Sequence, residues 1–163
     1  MTDSRPLETA MMAVHDRLEG LFFRHQSALL DRDLTLARAL LTEFTALILT
    51  HADDEERWIL PAYVEVGGDA TDSPARQFRL EHDKIRSFLA EIGDRLAADP
   101  PADDLARRRD ILAILDRESW FKSLLAHHDL RERRVLYPRL SQSLEFTRQT
   151  ELLSRLSSPR ASP

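Results

Sequence analysis

Two short stretches hold the residue types best suited to chemistry in this chain: His51-Ala52-Asp53-Asp54-Glu55 and His128-Asp129-Leu130-Arg131-Glu132. Each sets a histidine four residues ahead of a glutamate. Side chains four apart on a helix share one face, with Cβ atoms about 5–6 Å apart, so an imidazole nitrogen and a carboxylate can reach one cation. The repeat extends further. A phenylalanine precedes each histidine by seven residues (Phe44, Phe121), and a proline follows each by ten (Pro61, Pro138). A smaller pair, His15-Asp16-Arg17-Leu18 and His82-Asp83-Lys84-Ile85, alternates with these stretches. In chain order the motifs read His, His-x-x-x-Glu, His, His-x-x-x-Glu. That is a duplicated helix pair in which each half brings the same metal-capable side chains.

The flanking residues place these groups inside the protein. Leu47, His51, Glu55 and Ile59 are successive fourth residues, as are Leu124, His128, Glu132 and Leu136. Both polar pairs therefore interrupt an apolar face. Ionised carboxylates enter a core only at high cost unless compensating charge comes with them, and metal cations supply it. The candidate ligands are His15, His51, Glu55, His82, His128 and Glu132. Imidazole with carboxylate suits iron, manganese or zinc, and the lack of cysteine disfavours copper(I) and iron–sulfur clusters. Phe44, Phe121, Ile48 and Leu125 are expected to wall the site. His25 reads as an ordinary buried or outer-sphere histidine and Glu19 as a surface residue. His127 points about 100° away from His128 on a helix, and the repeat favours His128.

Four long helices are needed to carry this set, and the apolar periodicity supplies them over residues 7–30, 34–66, 74–98 and 102–140. Asp31-Arg32-Asp33 makes the first break, with an aspartate to cap the next helix. Pro61 should kink or loosen the end of the second. Gly67 to Pro74 forms the clearest loop, with Ser73 as N-cap and Pro74 at the first helical position. Asp99-Pro100-Pro101 ends the third. Residues 144–156 suit a short amphipathic tail helix, and residues 157–163 look frayed. The expected fold is all-α, an antiparallel up-down-up-down four-helix bundle over residues 1–143, with a tail over residues 144–163. Ligand depths agree within about one turn of 3.6 residues across the first two connections. Across the third, His128 lies ten residues deeper than His82. That excess is about 15 Å of helix, so the fourth helix should overhang or begin with a separate turn.

Composition narrows the function classes. The 163 residues include only four glycines and no cysteine, which favours helix and excludes disulfides, thiolate metal sites and cysteine nucleophiles. Its 23 basic and 28 acidic side chains are interspersed and sum to −5, which gives no basic footprint for nucleic acid. No run approaches the roughly 18 apolar residues of a membrane span. The first residues lack the basic-then-apolar pattern of a secretory signal, and the missing cysteine fits a reducing compartment. The expected location is cytoplasmic.

The pattern resembles the hemerythrin-like family, the HHE cation-binding domains, over residues 7–140. The pieces that carry the likeness are His15 to Leu18, His51 to Glu55 with Glu56 and Pro61, Glu81 to Ile85, and His128 to Glu132 with Tyr137-Pro138. The resemblance implies two non-haem iron ions, oxo- or hydroxo-bridged, with manganese or zinc as possible substitutes. It assigns Glu55 and Glu132 as bridges and His15, His51, His82 and His128 as terminal ligands. Oxygen-carrying hemerythrins have a fifth histidine in a His-x-x-x-His pair on the third helix and a final aspartate. Here the positions four either side of His82 are Phe78 and Arg86. Four histidines with two glutamates are more similar to the iron–sulfur repair, nitric-oxide-stress and iron- or oxygen-sensing members. The implied function is binding or sensing of O2, peroxide or NO, in oxidative or nitrosative stress or iron homeostasis, rather than turnover. The alternative is a di-iron peroxidase, oxidase, NO reductase or iron–sulfur repair enzyme.

Overall fold

A computed structural model describes residues 5–157. The described residues are helical, with no strand. Helix α1 (Pro6–Leu30) starts with proline at a first-turn position, where the missing N–H costs nothing. It stops in a Schellman turn. Arg32 takes a left-handed conformation (φ 59°), while Asp33 N–H bonds to Ala28 C=O and Arg32 N–H to Leu29 C=O. Asp33 then caps α2 (Leu34–Asp54) by accepting from Leu36 N–H at 3.0 Å.

Beyond α2 the chain stays helical but changes register. Glu55–Ile59 forms one π-helical turn, and α3 (Leu60–Glu65) continues from it. Pro61 accounts for the change. Proline has no N–H, and its ring would strike the carbonyl four residues back in an α-helix. In the wider turn Leu60 N–H bonds instead to Glu55 C=O, five residues back, which makes room for the ring. The expected loosening is thus a defined π turn.

The loop after α3 needs glycine at two places. Gly67 has φ 80°, and a Cβ on Gly68 would lie 2.3 Å from the Tyr63 ring. Helix α4 (Ala75–Ala97) begins one residue later than the sequence suggests, and its cap is different. Pro74, not Ser73, occupies the N-cap position, and the Asp69 carboxylate accepts Ala75 N–H at 2.8 Å. Ser73 is buried, with its carbonyl held by the Tyr63 hydroxyl.

Helix α5 (Asp104–Arg131) is capped by Asp103, which accepts Ala106 N–H at 2.7 Å. It has no separate first turn. None of residues 104–110 is buried, and Ile111 is the first core residue of α5. From Ile111 to His128 is 17 positions, close to the depth of the other histidines, so the surplus residues form an overhang. A second π turn, Glu132–Leu136, leads into α6 (Tyr137–Ser143), with Tyr137 N–H on Glu132 C=O just ahead of Pro138. The two copies of the motif therefore break register at the same place for the same reason.

Helix α7 (Phe146–Arg155) packs on α1 and buries Leu152 and Leu153. Residues 158–163, part of the expected frayed end, lie outside the described residues. The long helical spans pack in a manner consistent with a four-helix bundle. Two apolar cores result. One holds Phe22, Phe44, Phe88 and Phe121, with Phe88 and Phe121 stacked at 4.1 Å. The other holds Met11, Ile59, Tyr63, Phe78, Tyr137 and Leu140, closed by α7. Along α1, Met11 belongs to one core and Leu18 to the other, and His15 sits between them. No helix among the described residues is long and apolar enough to cross a membrane.

Candidate metal centre

The six candidate ligands occupy this level between the two cores. Helix α1 supplies His15, α2 supplies His51, α4 supplies His82 and α5 supplies His128, while Glu55 and Glu132 each open a π turn. All six are buried, and both glutamates are wholly inaccessible (0%). That figure matters, because a bare carboxylate in such a place needs partners.

The geometry sorts the six into two overlapping groups. Glu55, His82, His128 and Glu132 bring ligand atoms within 4.8 Å of one another, and so do His15, His51 and Glu132. Each glutamate faces both groups. One oxygen of Glu132 lies 2.8 Å from His128 Nε2 and the other 3.2 Å from His15 Nε2. Likewise Glu55 places Oε2 at 3.1 Å from His82 Nε2 and Oε1 at 3.7 Å from His51 Nε2. Donor atoms about 2.1 Å from one cation and at right angles around it stand about 3 Å apart. The spacing is that of ligands around shared ions.

Hydrogen bonding within the cluster tests the fit. Both oxygens of Glu132 are buried without a hydrogen-bond partner, although imidazole nitrogens lie close. The Nε2 atoms of His15 and His51 face each other at 2.9 Å. Lone pairs aimed at a common point, with buried carboxylate oxygens left over, are what a cation satisfies and a hydrogen-bond network does not. The arrangement can hold two cations with the carboxylates between them.

Three histidines are held from behind. The outer nitrogen (Nδ1) donates to Asp129 from His15, to Glu56 from His82 at 2.9 Å and to Glu81 from His128 at 2.9 Å. Arg133, Arg86 and Arg131 in turn hold these carboxylates. Such outer partners fix the tautomer that leaves Nε2 free for metal. His51 Nδ1 alone has no partner. The buried Tyr137 hydroxyl donates to Glu55 Oε1. Sequence reasoning assigned no role to Asp129, Glu56, Glu81 or Tyr137. The available signal was adjacency, since the three carboxylates directly follow Glu55, precede His82 or follow His128.

The site is electrostatically strained without a cation. Burial, joined by the neighbouring charge of Glu55, raises the pKa of Glu132 above its ordinary value. For Glu55, burial acts upward too, but His51 and His82 outweigh it and hold the carboxyl well below the usual range. Burial brings His51 down to about 4. His128 goes the other way: burial would lower it, yet Glu132 and Glu81 raise it well above the usual value. Burial likewise opposes His15, which Glu132 and Asp129 raise. The cluster retains protons that a bound metal must displace.

The remaining candidates lie elsewhere. His25 is buried apart from the cluster, with Nε2 2.7 Å from Glu118 and Nδ1 2.8 Å from the Ala37 carbonyl. His127 is exposed and donates to the Ser123 carbonyl. Glu19 is exposed at the rim of a cavity of about 400 Å³ that reaches the cluster. Phe44, Ile48 and Leu125 line this cavity; Phe121 does not, but stands behind Phe44 with ring centres 6.2 Å apart.

Comparison with protein families matches the chain to the hemerythrin HHE cation binding domain over residues 7–140. The chain belongs to the hemerythrin HHE cation-binding family. Searches of curated proteins and of solved structures each returned no significant match. Membership of the hemerythrin family, with the buried histidine–glutamate cluster, suggests a metal-binding protein that takes an ion pair.

Proposed function

We propose that this hemerythrin-family chain is a cytoplasmic non-haem di-iron protein, built as an up-down-up-down bundle, that binds or senses O2, peroxide or NO in oxidative or nitrosative stress or iron homeostasis. The observation that carries this reading is the pair of buried glutamates, each offering one oxygen to either half of the histidine set. His15 and His51 would hold one ion, His82 and His128 the other, with Glu55 and Glu132 shared between them. Iron suits these nitrogen and oxygen donors, and manganese or zinc could substitute. When bound, such a pair supplies coordination positions and electrons for a small oxygen or nitrogen ligand.

The protein's own groups set the conditions around that pair. Asp129, Glu56 and Glu81 orient three imidazoles. Tyr137 fixes one oxygen of Glu55 through its hydroxyl proton. Phe22, Phe44, Ile48 and Leu125 give the cavity beside the cluster an apolar wall. A second reading, a di-iron peroxidase, oxidase, NO reductase or iron–sulfur repair enzyme, draws support from the cavity, which offers a reactant a route to the cluster.

Exposing the reduced, iron-loaded protein to O2, and separately to NO or peroxide in the absence of air, separates the two. Binding or sensing predicts a stable oxy or nitrosyl spectrum that reverses when the gas is removed. Steady consumption of peroxide or NO over many turnovers would favour the enzyme. No spectral change with any of the three ligands would contradict both.

A further inference from the structure

The cavity beside the cluster is larger than a diatomic ligand needs. It opens to solvent and offers about 400 Å³, whereas an apolar cavity of about 150 Å³ already takes benzene. This volume falls within the roughly 300–1,000 Å³ typical of organic-ligand sites. The cavity is also long. Its α1 wall runs from His15 to Gln26, about 16 Å of helix, and the facing wall from Lys122 on α5 to Arg133 in the second π turn. Polarity changes along that length. The inner end is the histidine–glutamate cluster with Asp129 and Arg133 beside it, the middle is lined by Leu18, Phe22, Ile48 and Leu125, and the rim carries Glu19, Phe23, Gln26 and Lys122. Phe23 is a large aromatic ring left 69% exposed, which extends the apolar wall to the mouth.

We propose that this cavity binds a medium-chain aliphatic compound of roughly ten non-hydrogen atoms, its oxygen-bearing end at the cluster and its hydrocarbon tail running out past Leu125 and Phe22 to Phe23. The proposal rests on the metal-centre reading, because the oxygen end needs cations that accept oxygen donors. The apolar middle offers that end no hydrogen bond, so a single polar group belongs at one extremity. At the inner extremity the tail gains the whole length of apolar wall. The ligand class is a fatty acid or another alkyl compound with a terminal oxygen function.

Zinc-loaded protein, which is redox-silent, provides a test that does not depend on turnover. Octanoate and acetate are titrated by calorimetry after the metal content has been measured. Octanoate is expected to bind at least tenfold more tightly than acetate. Leu125→Trp should weaken octanoate at least tenfold with the metal content unchanged. Ala126→Phe, at an exposed position of the cavity wall, should do the same. Lys122→Met, which keeps the apolar stem at the lip and removes only the charge, should weaken octanoate far less than either larger side chain. Octanoate binding no tighter than acetate, or unaffected by both larger side chains, overturns the proposal, and loss of octanoate binding in Lys122→Met overturns the orientation. A loaded protein that ignores octanoate sinks this proposal alone. A protein that takes up no zinc or iron sinks the metal-centre reading and this proposal with it.

Discussion

Replacing His128 with alanine is expected to release metal from the site, while His127→Ala leaves the metal content unchanged. The two neighbours differ in direction. His128 is buried, with Nε2 2.8 Å from Glu132, whereas His127 is exposed and bonded to its own helix. An intermediate variant grades the effect. Glu81→Gln keeps a hydrogen-bond acceptor beside His128 but removes the charge, and loss of such an outer partner costs metal affinity by roughly 10–100-fold. The expected order of affinity is wild type and His127→Ala together, then Glu81→Gln, then His128→Ala. Competition with a chelator of known strength measures it. Equal loss in both histidine variants would contradict the assignment.

Metal removal should lower the melting temperature markedly. An ion at 100 times its dissociation constant stabilises the folded state by about 2.7 kcal/mol, which for a chain of this size is about 5–10 °C. Glu55 and Glu132 both stand at 0% exposure within one cluster, and like charges so placed resist joint ionisation when no cation lies between them. Removing them should therefore help the metal-free fold. Replacing buried ionic groups with apolar ones of similar volume is often neutral or stabilising, by about 1–4 kcal/mol. Glu55→Leu alone would strand the Tyr137 hydroxyl, which donates to Glu55, and a buried unpaired polar group costs about 1–3 kcal/mol. The variant to make is Glu55→Leu with Glu132→Leu and Tyr137→Phe. It should bind no metal and melt above chelated wild type. Melting below it would mean that the two glutamates do not burden the empty core.

Much of this arrangement is legible in the chain because helical geometry converts spacing into position. His51 with Glu55 and His128 with Glu132 share a face whatever the rest of the fold does, and the apolar fourth residues around them indicate burial. The surplus length of the fourth helix also follows from counting, and it appears as the exposed overhang ahead of Ile111. Other features depend on partners remote in sequence. Glu81 bonds His128 47 positions away, and Asp129 bonds His15 across 114, so adjacency to one motif does not reveal which histidine each carboxylate holds. Pro61 and Pro138 announce a disturbance but not its form. A π turn emerges only because the helix resumes on both sides and the displaced carbonyl finds an N–H five residues on. Ser73 fails as a cap because its carbonyl is tied to Tyr63, and Asp69 reaches the helix end instead.

Metal stoichiometry is the most direct test of the two-cation centre. Protein purified from iron-replete cells would be analysed for all first-row transition metals and referred to chain concentration, with its visible spectrum recorded on the same sample. Six buried ligands in two groups that share their carboxylates predict close to two metal ions per chain, with iron predominant and a ferric oxo-bridge absorption. One equivalent of tightly held zinc, with no uptake of iron on reconstitution, would contradict the account.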